Sequence, residues 1–242
     1  MMQDLTKRTL IGTMSLMVLP LWVWATGWQW QPTVTGWWLK PLFWMTETVS
    51  APWGIATSVL LAGVTVWLLR LRGRQAMSAV VILLATIVAG QGIKAVMKHW
   101  TQEPRPFVVW LEQTNQIAVS DFYALSNNAR AALLAHQLPP STAIPSWQRQ
   151  HWQQQADYAF PSGHTLFAAS WALVMAGLLW PRRHYTATVL ILLWANSVIG
   201  SRLLLGMHWP QDVAVAALIS AVLALIAGWL LQRVCSIPAT PR

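Results

Sequence analysis

Residues 77–98 read MSAVVILLATIVAGQGIKAVMK, a run with no charged side chain before Lys94. At about 1.5 Å of rise per residue, a helix of this length crosses the roughly 30 Å hydrocarbon core of a bilayer. A helix that is apolar all round has to be covered on every side by protein or lipid. The stretch therefore predicts a membrane-spanning helix ending on two lysines. Five further segments have the same character, at about 9–28, 53–70, 163–180, 185–206 and 211–232. Of the 242 residues, 55% are hydrophobic and 10% are charged, whereas a soluble domain carries about 25% charged residues. The expected fold is all-α: one integral membrane domain over 1–242 with six transmembrane helices. Lys7 and Arg8 before the first run suggest a signal peptide, but its length, its tryptophans and the lack of a clear small-residue cleavage site favour a retained helix. The single Cys235 cannot form an internal disulfide.

The formal charge of +9 would also suit a nucleic-acid binder. Its placement argues otherwise. Grouping alternate connections puts Lys7, Arg8, Arg70, Arg72, Arg74, Arg182, Arg183, Arg233 and Arg242 on one side, opposed only by Asp4. On the other side seven basic residues face six acidic ones. Short cytoplasmic connections are enriched in Lys and Arg, so the first side is expected to be cytoplasmic, with both termini. The charge then reads as a topology signal and an attraction to anionic lipid, with no nucleic acid as partner. Many of the 18 tryptophans gather near span ends, among them Trp28, Trp38, Trp53, Trp100, Trp180 and Trp209, which suits the headgroup zone. The long connection 99–162 is polar, Gln-rich around 148–155 and broken by Pro139, Pro140 and Pro145. Phe122, Leu125, Leu133 and Leu134 recur with helical spacing over 121–138, predicting a small helical cap on the non-cytoplasmic side.

The unusual polar residues fall at the ends of spans that share that side. Lys98 closes the third span and leads into Glu103-Pro104-Arg105-Pro106, where flanking prolines hold the arginine extended. Pro161-Ser162-Gly163-His164 opens the fourth span. Ser201-Arg202, His208 and Asp212 straddle the turn between the fifth and sixth. Each has an ordinary reading alone. Lys98 suits a snorkelling lysine, Arg105 a solvated loop charge, Arg202 an interface anchor, Ser162 a helix N-cap, His164 an interfacial histidine and Asp212 a helix-dipole partner. Lys94, one turn deeper, reads as a headgroup contact or a snorkelling side chain, the latter preferred. Ala85, Ala89, Gly90 and Gly92 offer close helix packing in the third span.

Taken together, the set supports phosphoryl transfer. Arginine forks grip phosphate oxygens in a plane, lysine adds a point charge, and the backbone at a helix start aims N–H groups at an anion. A neutral imidazole attacks phosphorus if an acceptor holds its other nitrogen, as Asp212 is placed to do for His208. A second histidine, His164, can protonate the departing oxygen. No acidic cluster for a divalent metal is evident on this side, so neither metal nor cofactor is expected.

Lys98 with six residues before Arg105-Pro106, then Pro161-Ser162-Gly163-His164, then Ser201-Arg202 with five residues before His208 and three before Asp212, resemble the three-part signature of the type 2 phosphatidic acid phosphatase superfamily. The chain is most similar to bacterial inner-membrane members. The resemblance implies that His208 is the nucleophile, Asp212 its orienting partner and His164 the general acid. It assigns Lys98, Arg105, Ser162, Gly163 and Arg202 to phosphate binding, without a metal. Members of this type act on phosphatidylglycerol phosphate and also on undecaprenyl diphosphate, phosphatidic acid, lysophosphatidic acid and diacylglycerol pyrophosphate. The expectation is thus a metal-independent lipid phosphatase of the inner membrane. Its site would face the periplasm, it would work through a phosphohistidine, and no obligate protein partner is evident. Undecaprenyl diphosphate recycling is the alternative main task. A transporter of anionic lipids is the alternative of another class, though its polar sites would normally lie near the midplane and often within repeats.

Overall fold

The computed structural model describes residues 2–32, 36–114, 116–137 and 144–235, and all regular secondary structure among them is helical. The six expected spans are present as α1 (Met2–Thr26), α3 (Trp53–Leu68), α4 (Gly73–Thr101), α9 (Gly163–Leu179), α10 (Tyr185–Leu204) and α11 (Pro210–Val234). Five are long and apolar enough to cross a membrane, while α3 is an apolar helix of 16 residues. Between α1 and α3 lies α2 (Leu39–Glu47), which the hydropathy pattern did not reveal. The cap is built from α5 (Pro106–Gln113), α6 (Val119–Ala124), α7 (Asn127–Gln137) and α8 (Ser146–Gln154).

The helix expected over 121–138 is two helices. Leu125 ends α6 in an extended conformation with ψ 153°, and Ser126 Oγ accepts from Ala129 N at 3.3 Å to start the next. Local hydrogen bonding by serine here outcompetes helical continuity. Leu138, Pro139 and Pro140 lie outside the described residues. Pro145 stands immediately before α8, where its fixed φ suits a helix start.

Helix α9 is the axis of the bundle. Its residues from Thr165 to Leu179 are all buried, and α1, α4, α10 and α11 surround it. Bilayer helices associate through close packing rather than through escape from water, so small residues mark their contacts. A Cβ on Gly177 or Gly228 would lie 3.0 Å from the Leu5 side chain, so these glycines let α1 approach both α9 and α11. Gly90 does the same for α4 against Leu223 of α11, whereas Ala85, Ala89 and Gly92 face outward. The outer surfaces of α1, α4, α10 and α11 present Ile11, Val18, Val88, Leu193 and Val222, as lipid requires.

Two end faces result. On one, Cys235 at the end of α11 donates to Gln75 O at the start of α4, close to Arg72 and Arg74. On the other, the cap closes over the ends of α4 and α10 and the starts of α9 and α11. Trp152 and Trp30 from different segments donate to Leu205 O and Leu204 O at 3.0 Å, fastening cap and α1–α2 connection to the end of α10.

Candidate active site

The α10–α11 turn is shaped around Gly206. Its φ of +70° and a Trp30 ring 2.6 Å from where a Cβ would sit both require glycine. Gly206 O accepts from Phe107 N at 3.1 Å, which joins this turn to the start of α5. Met207 N and His208 N both donate to Arg202 O at 3.1 Å, so the turn folds back on the end of α10. Asp212, in the first turn of α11, then reaches back. Its Oδ2 accepts from Trp209 N at 2.9 Å and lies 3.1 Å from His208 Nδ1. The carboxylate thus caps α11 and holds the imidazole. Burial first, and then the nearby Arg105 guanidinium, push the His208 pKa well below the usual imidazole value. His208 is accordingly neutral, with its proton on Nδ1 toward Asp212 and a lone pair on Nε2. That Nε2 stands 3.2 Å from Arg105 Nη1.

Arg105 immediately precedes α5 in an extended conformation, with Pro106 as the first helical residue, as the flanking prolines predict. It is 2% exposed and also donates to Met207 O at 2.8 Å. Lys98, at the end of α4, reaches the same place. Both are ion-paired with Asp157 from the α8–α9 connection.

Ser162 caps α9 by accepting from Thr165 N at 3.3 Å, so the capping reading holds whatever else this residue does. Its own N–H donates to Asp212 O at 3.2 Å, tying the start of α9 to that of α11. Gly163 is crossed by the Lys94 side chain, with Lys94 Cδ 2.5 Å from the position of a Cβ. Lys94 therefore turns inward along Gly163 instead of snorkelling away. The Nε2 atom of His164 is 3.0 Å from Ser50 Oγ and 3.4 Å from Gln155 Nε2.

Arg202 is fully buried behind these groups. It donates to Thr46 Oγ1 at 3.0 Å, His151 Nε2 at 2.9 Å and Gln155 Oε1 at 2.8 Å, while its Nε has no partner among the described residues. On the far side of His151, Nδ1 lies 3.2 Å from Glu47 Oε1 but out of line for a good hydrogen bond. Burial, together with the Arg202 charge, pushes the His151 pKa down to about 4 against the opposing pull of Glu47. A neutral His151 is what lets its Nε2 accept from Arg202.

Lys98, Arg105, Gly163, His164 and His208 line one cavity of about 810 Å³, and Ser162, Arg202 and Asp212 stand behind its wall. The sequence reading missed Thr46, Glu47, Ser50, His151, Gln155 and Asp157. The four-residue spacing of His151, in α8, and Gln155, just past its end, was the only pattern that marked any of them. Away from the charged end, the cavity runs between α3 and α4 past Ile55, Val59, Leu84 and Val88. Cations and imidazoles at one end and a hydrocarbon slot at the other fit an anion carried on an apolar tail. Among the described residues, no three His, Cys, Asp or Glu side chains converge to hold a metal ion.

The profile of the PAP2 superfamily matches residues 79–234, which carry every signature residue of this site. The chain is 50% identical to phosphatidylglycerophosphatase B of Escherichia coli K12 over 240 residues, covering 99% of this chain and 94% of the relative. It is 31% identical to phosphatidylglycerophosphatase B of Haemophilus influenzae over 223 residues, covering 88% and 91%. With residues from all three motifs lining one cavity and the match running through most of its spans, this chain belongs to the PAP2 superfamily.

Proposed function

We propose that the chain is an integral membrane lipid phosphatase that hydrolyses phosphatidylglycerol phosphate to phosphatidylglycerol. The observation that carries this reading is the single cavity joining a cationic end at Lys98 and Arg105 to an apolar slot between α3 and α4. A phosphate at headgroup level enters the first while the acyl chains stay in the second.

Lys98 and Arg105, with the backbone N–H groups opening α9, hold the phosphoryl oxygens, and Arg202 behind the wall adds its positive charge to meet the charge that develops there. As phosphate enters, Arg105 Nη1 moves its hydrogen bond from His208 Nε2 to a phosphoryl oxygen. The freed lone pair attacks phosphorus, and Asp212 stabilises the positive charge that appears on the imidazole. The bond from phosphorus to the glycerol oxygen breaks, and His164, which takes up a proton as the negative phosphate enters, gives it to that oxygen. Neutral His164 then takes a proton from water, which attacks the phosphohistidine and releases phosphate and His208. Phosphatidic acid, lysophosphatidic acid, diacylglycerol pyrophosphate and undecaprenyl diphosphate present the same group on an apolar tail and belong to the proposed range.

We place the site and its cap, 99–162, on the periplasmic side of the bacterial inner membrane, because the basic residues gather on the opposite face. The whole chain then acts as one membrane domain. The test quenches enzyme turning over labelled phosphatidylglycerol phosphate and looks for acid-labile, base-stable phosphate on the protein. Label is expected in the wild type and in His164→Ala given a substrate with a good leaving group, and none in His208→Ala. Label persisting in His208→Ala would move the nucleophile elsewhere. Turnover with no label and with inversion at phosphorus would mean direct attack by water. Comparing turnover on undecaprenyl diphosphate in the same preparation ranks the two lipids, and absence of phosphate release from any lipid would leave transport as the reading.

A further inference from the structure

The connection between α8 and α9 places a carboxylate among the cations described above. Asp157 Oδ2 lies 2.7 Å from Lys98 Nζ, and Oδ1 is paired with Arg105 Nη2. The neighbouring donor on the same edge of the guanidinium, Nε, is given to the Asp157 backbone carbonyl at 2.7 Å. That edge is one of the two with which arginine grips phosphate in a bidentate manner, and a single residue occupies it.

The Asp157 side chain is nonetheless 48% exposed and lines the cavity, while those of Lys98 and Arg105 are 12% and 3% exposed. The loop has its own fastenings. Tyr158 O accepts from Lys98, and Ala159 N donates to Glu103 O at 2.8 Å. The carboxylate can therefore leave the cations while the backbone stays in place. Although burial pushes the Asp157 carboxyl up, Arg105 and Lys98 more than offset this and hold it well below the usual carboxylate range. It is an anion at any working pH.

We propose that Asp157 is a stand-in anion: its carboxylate competes with substrate and product phosphate for Lys98 and Arg105, lowering the affinity of the site and speeding phosphate release. An entering phosphate either displaces the carboxylate, giving up two charge-assisted contacts, or sits beside it against a like charge. Both weaken phosphate binding. A carboxylate that served only to align the two cations would have the opposite signature, since its loss would disperse them. The inference rests on the phosphate-binding role assigned to this site.

The test uses the full chain in detergent micelles with inorganic phosphate as the probe. Binding is read both as the inhibition constant against a short-chain lipid phosphate and as the phosphate-dependent rise in unfolding temperature. In Asp157→Asn the inhibition constant is expected to fall about tenfold or more, the scale on which a like charge within a few ångströms acts. KM should fall with it, and the thermal shift at a given phosphate concentration should grow. Asp157→Ser should move the same way. An inhibition constant that is unchanged or higher in both variants would overturn the proposal, and so would failure of both to fold, because Asp157 would then be structural. Lys98→Met separates the two ideas. If wild type ignores phosphate, or Lys98→Met leaves its binding unchanged, the phosphate site itself is misplaced.

Discussion

His151 links acidity to both stability and activity through Arg202. A group whose pKa is depressed in the folded state stabilises the protein above its unfolded value and ceases to do so as pH falls through the folded one. For His151 that window runs from about 6.5 down to about 4. Between pH 7 and pH 5 the linkage relation gives a loss of about 2 kcal/mol from this one imidazole, rising to roughly 3 kcal/mol below the window. His151→Gln removes the titration while offering Arg202 an amide oxygen in place of Nε2. The assay is denaturant unfolding of wild type and variant in the same detergent at pH 7, 6 and 5. Every other ionisable group is common to the two proteins, so the difference between the two pH dependences isolates His151. Wild type is expected to lose about 2 kcal/mol more than the variant. Protonated His151 would also face the Arg202 guanidinium across 2.9 Å, so KM should rise in wild type over the same range. Equal pH dependence in the two proteins would refute the argument, because a neutral, buried His151 would then not be what holds Arg202.

Activity on phosphatidylglycerol phosphate should survive EDTA and be inhibited by vanadate, since side chains supply the positive charge; loss in EDTA with recovery on adding Mg²⁺ would contradict this. Topology cannot be probed at Cys235, which is 1% exposed. Arg74 and Gln113 are exposed on opposite faces, so in a Cys235→Ser background an impermeant maleimide on spheroplasts should label Gln113→Cys and spare Arg74→Cys. Gly27→Ala and Gly206→Ala share a positive φ worth about 1–2 kcal/mol. Only the second meets a ring, with Trp30 atoms at 2.6 to 2.9 Å, so it should cost about 1–3 kcal/mol more and lower kcat/KM by shifting His208 two residues on. Unfolding and rate measurements on the pair check this, and equal losses would show that Trp30 yields.

The sequence by itself determined the six spans and the basic character of one face. It also located the three polar segments whose residues the bundle carries to one cavity. These are local properties. A bilayer imposes its hydropathy requirement on each helix separately, and the motif spacing within each segment is short enough to survive folding unchanged. The turn from His208 to Asp212 shows this well, since one helix start supplies both the imidazole and the carboxylate that holds it.

The tertiary structure alone decided which polar partners those residues meet. Glu47 and Ser50 come from a region with no motif, and His151, Gln155 and Asp157 from a Gln-rich stretch that reads as a solvated cap. Arg202 draws its partners from α2, α8 and the residue that follows α8, segments more than a hundred positions apart along the chain. The signature could show that an arginine stands at 202 but not that a neutral histidine and a threonine hydroxyl hold it. Nor could it show that Asp157 stands between Lys98 and Arg105. Apolar burial in lipid needs only residue type, which is written locally, whereas a buried charge needs a particular partner at hydrogen-bonding distance, and only packing brings that partner there.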